Sequence, residues 1–246
     1  MILFNLLSKI CCIKWRYLFS GSIVYVSKNS TLRIGRGVSI KHSKIHLDNC
    51  SKMVIGDGVH IDNTIFAINN GDVNIGDNSF FSNGKMPTRQ RIIICDGKIS
   101  YGAFNRIRAE LTWIRFGGSF SLGSYVNINE YSEIRSDESI SIGNYVEISY
   151  HVIIWDTNTH ELESKRLRRQ RWERMYLNRD VAVKPKTKAV VIGNDTWIGR
   201  NVCILKGTII GNCSICGMGV VLSAKEVPAN TTIVPSYSYK VFVNKM

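Results

Sequence analysis

IGNDTWIGRNVCILKGTIIGNCSICGMGVVLSAKEVPANT, residues 192–231, decides the fold. Apolar residues stand at Ile192, Ile198, Ile204, Ile210, Cys216 and Leu222, a period of six without a slip. Two positions before each next apolar residue comes a small or branched one: Thr196, Val202, Thr208, Ser214 and Val220. Gly193, Gly199, Gly211 and Gly217 follow the apolar position directly. This period fits neither a helix, at about 3.6, nor an amphipathic strand, at about 2. It fits a short strand plus a corner, repeated. Three such units close a triangular coil of about 18 residues, and stacked coils pair as parallel strands. The apolar residues then point inward as a ladder. Gly, Asn and Asp gather at the corners, where positive φ is expected. The physics predicts a parallel β-solenoid but not its hand, since right-handed crossovers are the general rule.

The same grammar recurs upstream. Leu122, Ile128 and Ile134 form one run, and Ile142, Ile148 and Ile154 a second. Weaker copies begin at Ile34-Gly35, at Ile55-Gly56-Asp57-Gly58-Val59 with Ile61, and at Ile75-Gly76-Asp77-Asn78. Two breaks interrupt the repeat. Residues 84–118 hold apolar runs such as Ile92-Ile93-Ile94 and Leu111-Thr112-Trp113-Ile114 with no clean period, which reads as irregular coils with longer corners. The second break, 156–190, differs in kind: from Glu161 to Lys188 ten basic residues face four acidic ones. Such an excursion within a compact domain is usually functional. The resulting division is a terminal segment 1–30, a solenoid 31–227 with the excursion 156–190, and a tail 228–246.

Composition narrows the partners. With 44% hydrophobic and 10% aromatic residues, the chain can bury a sizeable core. A net charge of +13 predicts anionic partners. No RNP aromatic pair or zinc-finger spacing is present, which argues against nucleic acid. Seven scattered cysteines, an odd number, read as reduced thiols of a cytoplasmic protein. Cys213 and Cys216 form a C-x-x-C inside the repeat, with no second pair at metal spacing, so no metal is expected. The apolar run before Lys9 is too short for a signal core or a membrane span. Two readings remain for it: a cap on the open end of the core, or a basic amphipathic segment (residues 1–20) lying on the inner face of a membrane.

The [Ile/Leu/Val]-Gly-x-x-[small]-x period, weak over 31–83 and strong over 119–235, resembles the hexapeptide-repeat acyltransferases. The resemblance implies an all-β, left-handed parallel β-helix, a homotrimer, and acetyl-CoA as co-substrate. Members of that family carry a D-x-[DN]-x-H segment whose His is the general base. Asp156, Asn158 and His160 match it, at the point where the repeat gives way to the excursion. An imidazole titrating near neutrality can take the proton of a sugar hydroxyl as its oxygen attacks a thioester, then return it to the leaving thiolate. A surface turn with a chance His is the plainer reading. Related sugar acetyltransferases place an Asn six residues past the Gly of an apolar-Gly hexad in the preceding coil. Counting from Gly123 gives Asn129, which is also explicable as a corner Asn. Glu130 and Glu147 are fallback partners for orienting His160.

The coils around Trp197-Ile198-Gly199 and Ile204-Leu205-Lys206-Gly207 resemble those against which acyl-CoA lies in this family. Ser223, Ala224 and Lys225 match its exit from the last coil, with one extra residue. Lys206, Lys225 and Lys240 are candidate phosphate contacts, or ordinary surface lysines. Pro235 to Val241 departs from the family's usual ending, which borders the adenine end of the site. The resemblance thus implies an O-acetyltransferase acting on a sugar hydroxyl, in surface polysaccharide or its precursor. The alternatives are N-acylation of an amino sugar and a non-catalytic hexapeptide scaffold. Gamma-class carbonic anhydrases share the helix, but His42, His46, His60, His151 and His160 do not assemble their triplet at coil spacing.

Overall fold

The computed structural model describes residues 20–160, 164–177, 183–236 and 238 of the chain. Among these, the repeat builds nine stacked coils of three parallel strands each. The first face runs from Ile23–Val26 to Val221–Ser223, and the third from Ser39–Lys41 to Thr232–Ile233. The second face starts at Thr31–Ile34 and ends at Glu226–Val227. The apolar ladder points inward as the period requires: Ile192, Ile198, Ile204, Ile210, Cys216 and Leu222 are all buried. The residue two positions before each is buried as well, from Val190 and Thr196 to Val220. Each fully buried Ile contributes about 1.5–3 kcal/mol. In the earlier coils aromatic rings take part in the core. Phe66, Phe81, Tyr101 and Phe120 meet edge-to-face with centroids 5.7, 5.1 and 5.8 Å apart. Burial pushes the Tyr101 phenol far above its ordinary value.

The stretch 84–118 corrects the sequence reading. It holds most of two regular twelve-residue strands, Gln90–Tyr101 and Leu111–Leu122, rather than irregular coils. They pair in register except for a shift between Arg115 and Gly118. Each strand bends through the corner between the first two faces, and the extra residues there conceal the period. The same corner explains the slip between the runs ending at Ile134 and starting at Ile142, since Asp137 and Glu138 lie between the strands Glu133–Ser136 and Ser139–Ile142.

A second correction concerns the glycines. Positive φ falls not on the glycine that follows the apolar residue but two positions later, at Asn78, Phe104, Tyr125, Tyr145, Asp195 and Cys213. The glycines themselves are required by close approach. A Cβ on Gly102 would lie 2.6 Å from the Gly123 carbonyl carbon, and one on Gly143 would lie 2.7 Å from the Asn194 amide nitrogen. The residue after the glycine caps the coil below: Asn194 Oδ1 accepts from the Asn144 amide at 2.7 Å, and Asn212 Oδ1 from the Asn194 amide at 2.8 Å. Three bulky residues occupy the positive-φ corner in succession. Phe104, Tyr125 and Tyr145 stack with centroids 5.0 Å apart.

Candidate active site

The excursion leaves the solenoid at the corner between the first and second faces. It departs after the strand Ile153–Trp155 and returns at Val190–Ile192. Its root is tied down by carboxylates. Asp156 is buried, and its oxygens accept from Ser136 Oγ at 2.6 Å and from the amides of Asp137 and Glu138 at 2.8 and 2.9 Å. Burial pushes this carboxyl above its ordinary range, outweighing those hydrogen bonds, and the charge of Asp137 acts in the same direction. One coil below, Asp137 receives both Arg115 Nε and Nη2, at 2.9 and 2.7 Å. Thr157 Oγ1 donates to Asp137 Oδ2 at 2.7 Å.

The departing and returning limbs hold each other. Thr157 bridges Thr187 antiparallel, the Asn158 amide donates to Lys186 O at 3.1 Å, and the Lys188 amide donates to Asp156 O at 2.9 Å. Thr159 turns the chain at φ 62°. Beyond it His160 is exposed, at the mouth of a rigid base. Residues 164–177 carry one helix, α1 (Lys165–Tyr176), which the sequence reading left within an undivided excursion. Ser164 caps it by accepting from the Leu167 amide at 3.4 Å.

Beside Asp156 the outer surface of the first face carries a column of side chains in register: Trp113, Arg135, Trp155, Leu205 and Ser223. The Arg135 guanidinium lies over both indoles, 5.2 Å from the Trp113 ring and 4.8 Å from the Trp155 ring. Arg135 also pairs with Glu133. Neither indole N–H has a hydrogen-bond partner among the described residues. The column escaped the sequence reading, although its members have a common mark: Trp113, Arg135 and Trp155 each directly follow an inward residue of the ladder (Thr112, Ile134, Ile154).

The predicted site residues divide between corners. Lys206, Ser223 and Lys225 fall at the same corner as Asp156, one and two coils above it. The Gly207 amide donates to Lys188 O at 2.9 Å, which ties the Lys206 turn to the returning limb. Trp197 lies exposed on the third face and Gly199 just beyond its strand. A Cβ on Gly199 would lie 2.8 Å from Cys216 O, so that glycine is fixed by coil packing. Lys240 lies outside the described residues, as does nearly all of the N-terminal segment 1–20.

Asn129 follows the third-face strand Asn127–Ile128, at the opposite edge of the first face from Asp156. Within one chain the structure does not bring Asn129 and His160 together. Asn129 accepts from Arg108 Nη2 and donates to Ile148 O at 3.1 Å. Glu130 is buried at that edge and paired with Arg108 at 3.4 Å, and Glu147 belongs to the third face. Within one chain neither lies at the corner from which the His160 segment departs. The C-x-x-C also divides: Cys216 is buried in the core, its thiol pushed up to about 11, while Cys213 is an exposed corner residue.

No protein-family model matches the chain. An Escherichia coli K12 protein, WbbJ, provisionally named a lipopolysaccharide biosynthesis O-acetyl transferase, is 32% identical over 139 residues. The match spans 56% of this chain and 68% of that protein. The chain belongs to the hexapeptide-repeat acyltransferases. Its solenoid is accordingly the left-handed parallel β-helix of that family, and the protein is an acyltransferase. Among solved structures, the polysialic-acid-specific acetyltransferase NeuO superposes with a TM-score of 0.55 at 18% identity, over 89% of this chain and 84% of that one. That likeness shows the fold alone. The polysialic acid O-acetyltransferase OatWY gives a TM-score of 0.38 over 91% and 92%, too low to carry an argument.

Proposed function

We propose that the protein transfers an acetyl group from acetyl-CoA to a hydroxyl of a sugar within a polysaccharide or its precursor, with His160 as general base. The observation that carries this reading is the anchoring of Asp156–His160. A buried carboxylate fixes the root of an exposed imidazole at the corner where an acyltransferase coil opens. His160 takes the hydroxyl proton as the sugar oxygen bonds to the thioester carbonyl carbon. The tetrahedral intermediate collapses, the C–S bond breaks, and the proton passes to the CoA thiolate. A backbone N–H of a neighbouring coil supplies the oxyanion donor. Asp156, wholly buried, acts as a positioning residue and does not touch substrate.

The Trp113–Arg135–Trp155 column favours a saccharide acceptor, because a pyranose stacks its C–H face on indole while its hydroxyls reach a guanidinium. Lys206, Ser223 and Lys225 suit contacts to CoA at the same corner, whereas Trp197 and Gly199, on the third face, would meet that CoA only from a neighbouring subunit. In a homotrimer an Asn129 from one subunit is free to face the His160 of the next, which reconciles their separation within one chain. The test is thiol release from acetyl-CoA over a panel of sugars and polysaccharides. Release that depends on a saccharide and yields an alkali-labile acetyl ester supports O-transfer. An alkali-stable amide would establish N-acylation, and no binding or hydrolysis of acetyl-CoA, with or without saccharide, would favour the scaffold reading.

A further inference from the structure

Helix α1 buries none of its side chains, so packing does not explain its composition. Its sequence, KRLRRQRWERMY, places Lys165, Arg166, Arg168, Arg169, Arg171 and Arg174 against a single acid, Glu173. Six cations confined to about 18 Å repel one another in the free protein. A helix shaped only by its own stability would carry acids in its first turn, and this one has none there. Such a concentration of charge is consistent with an anionic partner.

The arrangement distinguishes the kind of anion. At about 100° per residue, the cations fall on every side of the helix. A helix that lies on a membrane needs one continuous apolar side, and Leu167, Trp172, Met175 and Tyr176 do not make one. Instead Lys165, Arg168, Arg169, Trp172 and Tyr176 share a stripe that mixes cations with rings. Trp172 and Tyr176 are 54% and 81% exposed, with centroids 6.4 Å apart. Rings to stack pyranoses and guanidinium groups to pair with their acidic substituents are the recognition chemistry of an acidic glycan. Position agrees with this: α1 starts five residues after His160, and the returning limb adds exposed Lys184, Lys186 and Lys188.

We propose that α1 is a docking arm for an anionic polysaccharide, and that it holds the acceptor chain beside His160. This rests on the saccharide O-acetyltransferase reading above, and it names the acceptor's class. The test is equilibrium binding of the full chain to polygalacturonate, to neutral dextran, and to vesicles of equimolar phosphatidylglycerol and phosphatidylcholine. The expected result is salt-sensitive binding to polygalacturonate, none to dextran, and weaker binding to vesicles. The triple variant R166Q/R168Q/R169Q should bind polygalacturonate about tenfold or more weakly and with a shallower salt dependence. Trp172→Ala should weaken binding several-fold with the salt dependence unchanged. Because no side chain of α1 is buried, both variants should melt with the wild type.

Equal polygalacturonate binding by the triple variant overturns the proposal. So does a wild-type preference for the vesicles, which would make α1 a lipid contact. Saccharide-independent thiol release together with intact polygalacturonate binding would overturn the catalytic reading alone.

Discussion

At the residue scale, Asp156 and His160 divide the work of one short segment. His160 is exposed and supports no packing, so His160→Ala should lower acetyl transfer by about 10²- to 10⁴-fold while leaving thermal unfolding unchanged. Thiol-release kinetics and a melting curve on the same sample check both halves. Asp156→Ala should weaken transfer by loosening the root of the His160 segment and, unlike His160→Ala, should also cost stability. Removing the carboxylate leaves the Asp137 and Glu138 amides and the Ser136 hydroxyl without their acceptor, at about 1–3 kcal/mol for each buried donor. Denaturant unfolding should therefore show a loss of several kcal/mol. The raised carboxyl of Asp156 also sets a pH dependence. Between the ordinary carboxylate value, about 4, and the raised native value, the folded protein holds a proton that the unfolded chain has released. The contribution of Asp156 to stability is thus largest in acid, falls as pH rises through that window, and is flat above it. The difference in unfolding free energy between Asp156→Asn and wild type should accordingly shift in favour of the variant from about pH 4 to neutral pH. An unchanged difference across that range would contradict the assignment.

At the element scale, the corner between the first two faces is where the molecule departs from its repeat. Arg115 and Asp137 clamp it, with side chains 18% and 0% exposed. Breaking a pair this buried costs about 3–5 kcal/mol. Asp137→Ala should lose that amount in urea unfolding and should also weaken transfer, because Thr157, at the root of the His160 segment, loses its acceptor. The corner between the second and third faces is tolerant in one position and not in another. Gly143→Ala forces a Cβ to 2.7 Å from the Asn194 amide nitrogen, and overpacking of this kind costs about 1–3 kcal/mol. Tyr125→Asn gives up stacking worth about 0.5–1.5 kcal/mol but relieves a bulky side chain at φ 60°, which costs roughly 1–2 kcal/mol. It should be nearly neutral by thermal melting. The motif of 156–160 was legible in the sequence because its spacing is local. The Arg115–Asp137–Thr157 clamp was not, because its partners come from three coils and their register depends on corner lengths that the period does not specify. Helix α1 was missed for a different reason: with no side buried, it leaves no apolar period of 3.6 to read.

At the scale of the whole molecule, the solenoid was legible because one inward residue in six suffices to stack a coil, and Ile192 to Leu222 keep that count without interruption. Its hand was carried by likeness to a family. Assembly is not written in the ladder, since the faces that would meet in a trimer obey the same alternation as those that meet water. The separation of Asn129 from Asp156 across the first face makes a testable demand on assembly. Sedimentation should give a trimer, and mixing inactive His160→Ala subunits with inactive Asn129→Ala subunits should restore partial activity through sites that receive one intact residue from each. A monomer that is fully active would contradict a shared site. The most direct test of the central claim is transfer of labelled acetyl from acetyl-CoA to an acidic polysaccharide, with the wild type and His160→Ala run side by side. The account predicts alkali-labile label on the polymer with the wild type and a loss of about 10²-fold or more with the variant. Equal labelling by the two proteins would contradict it.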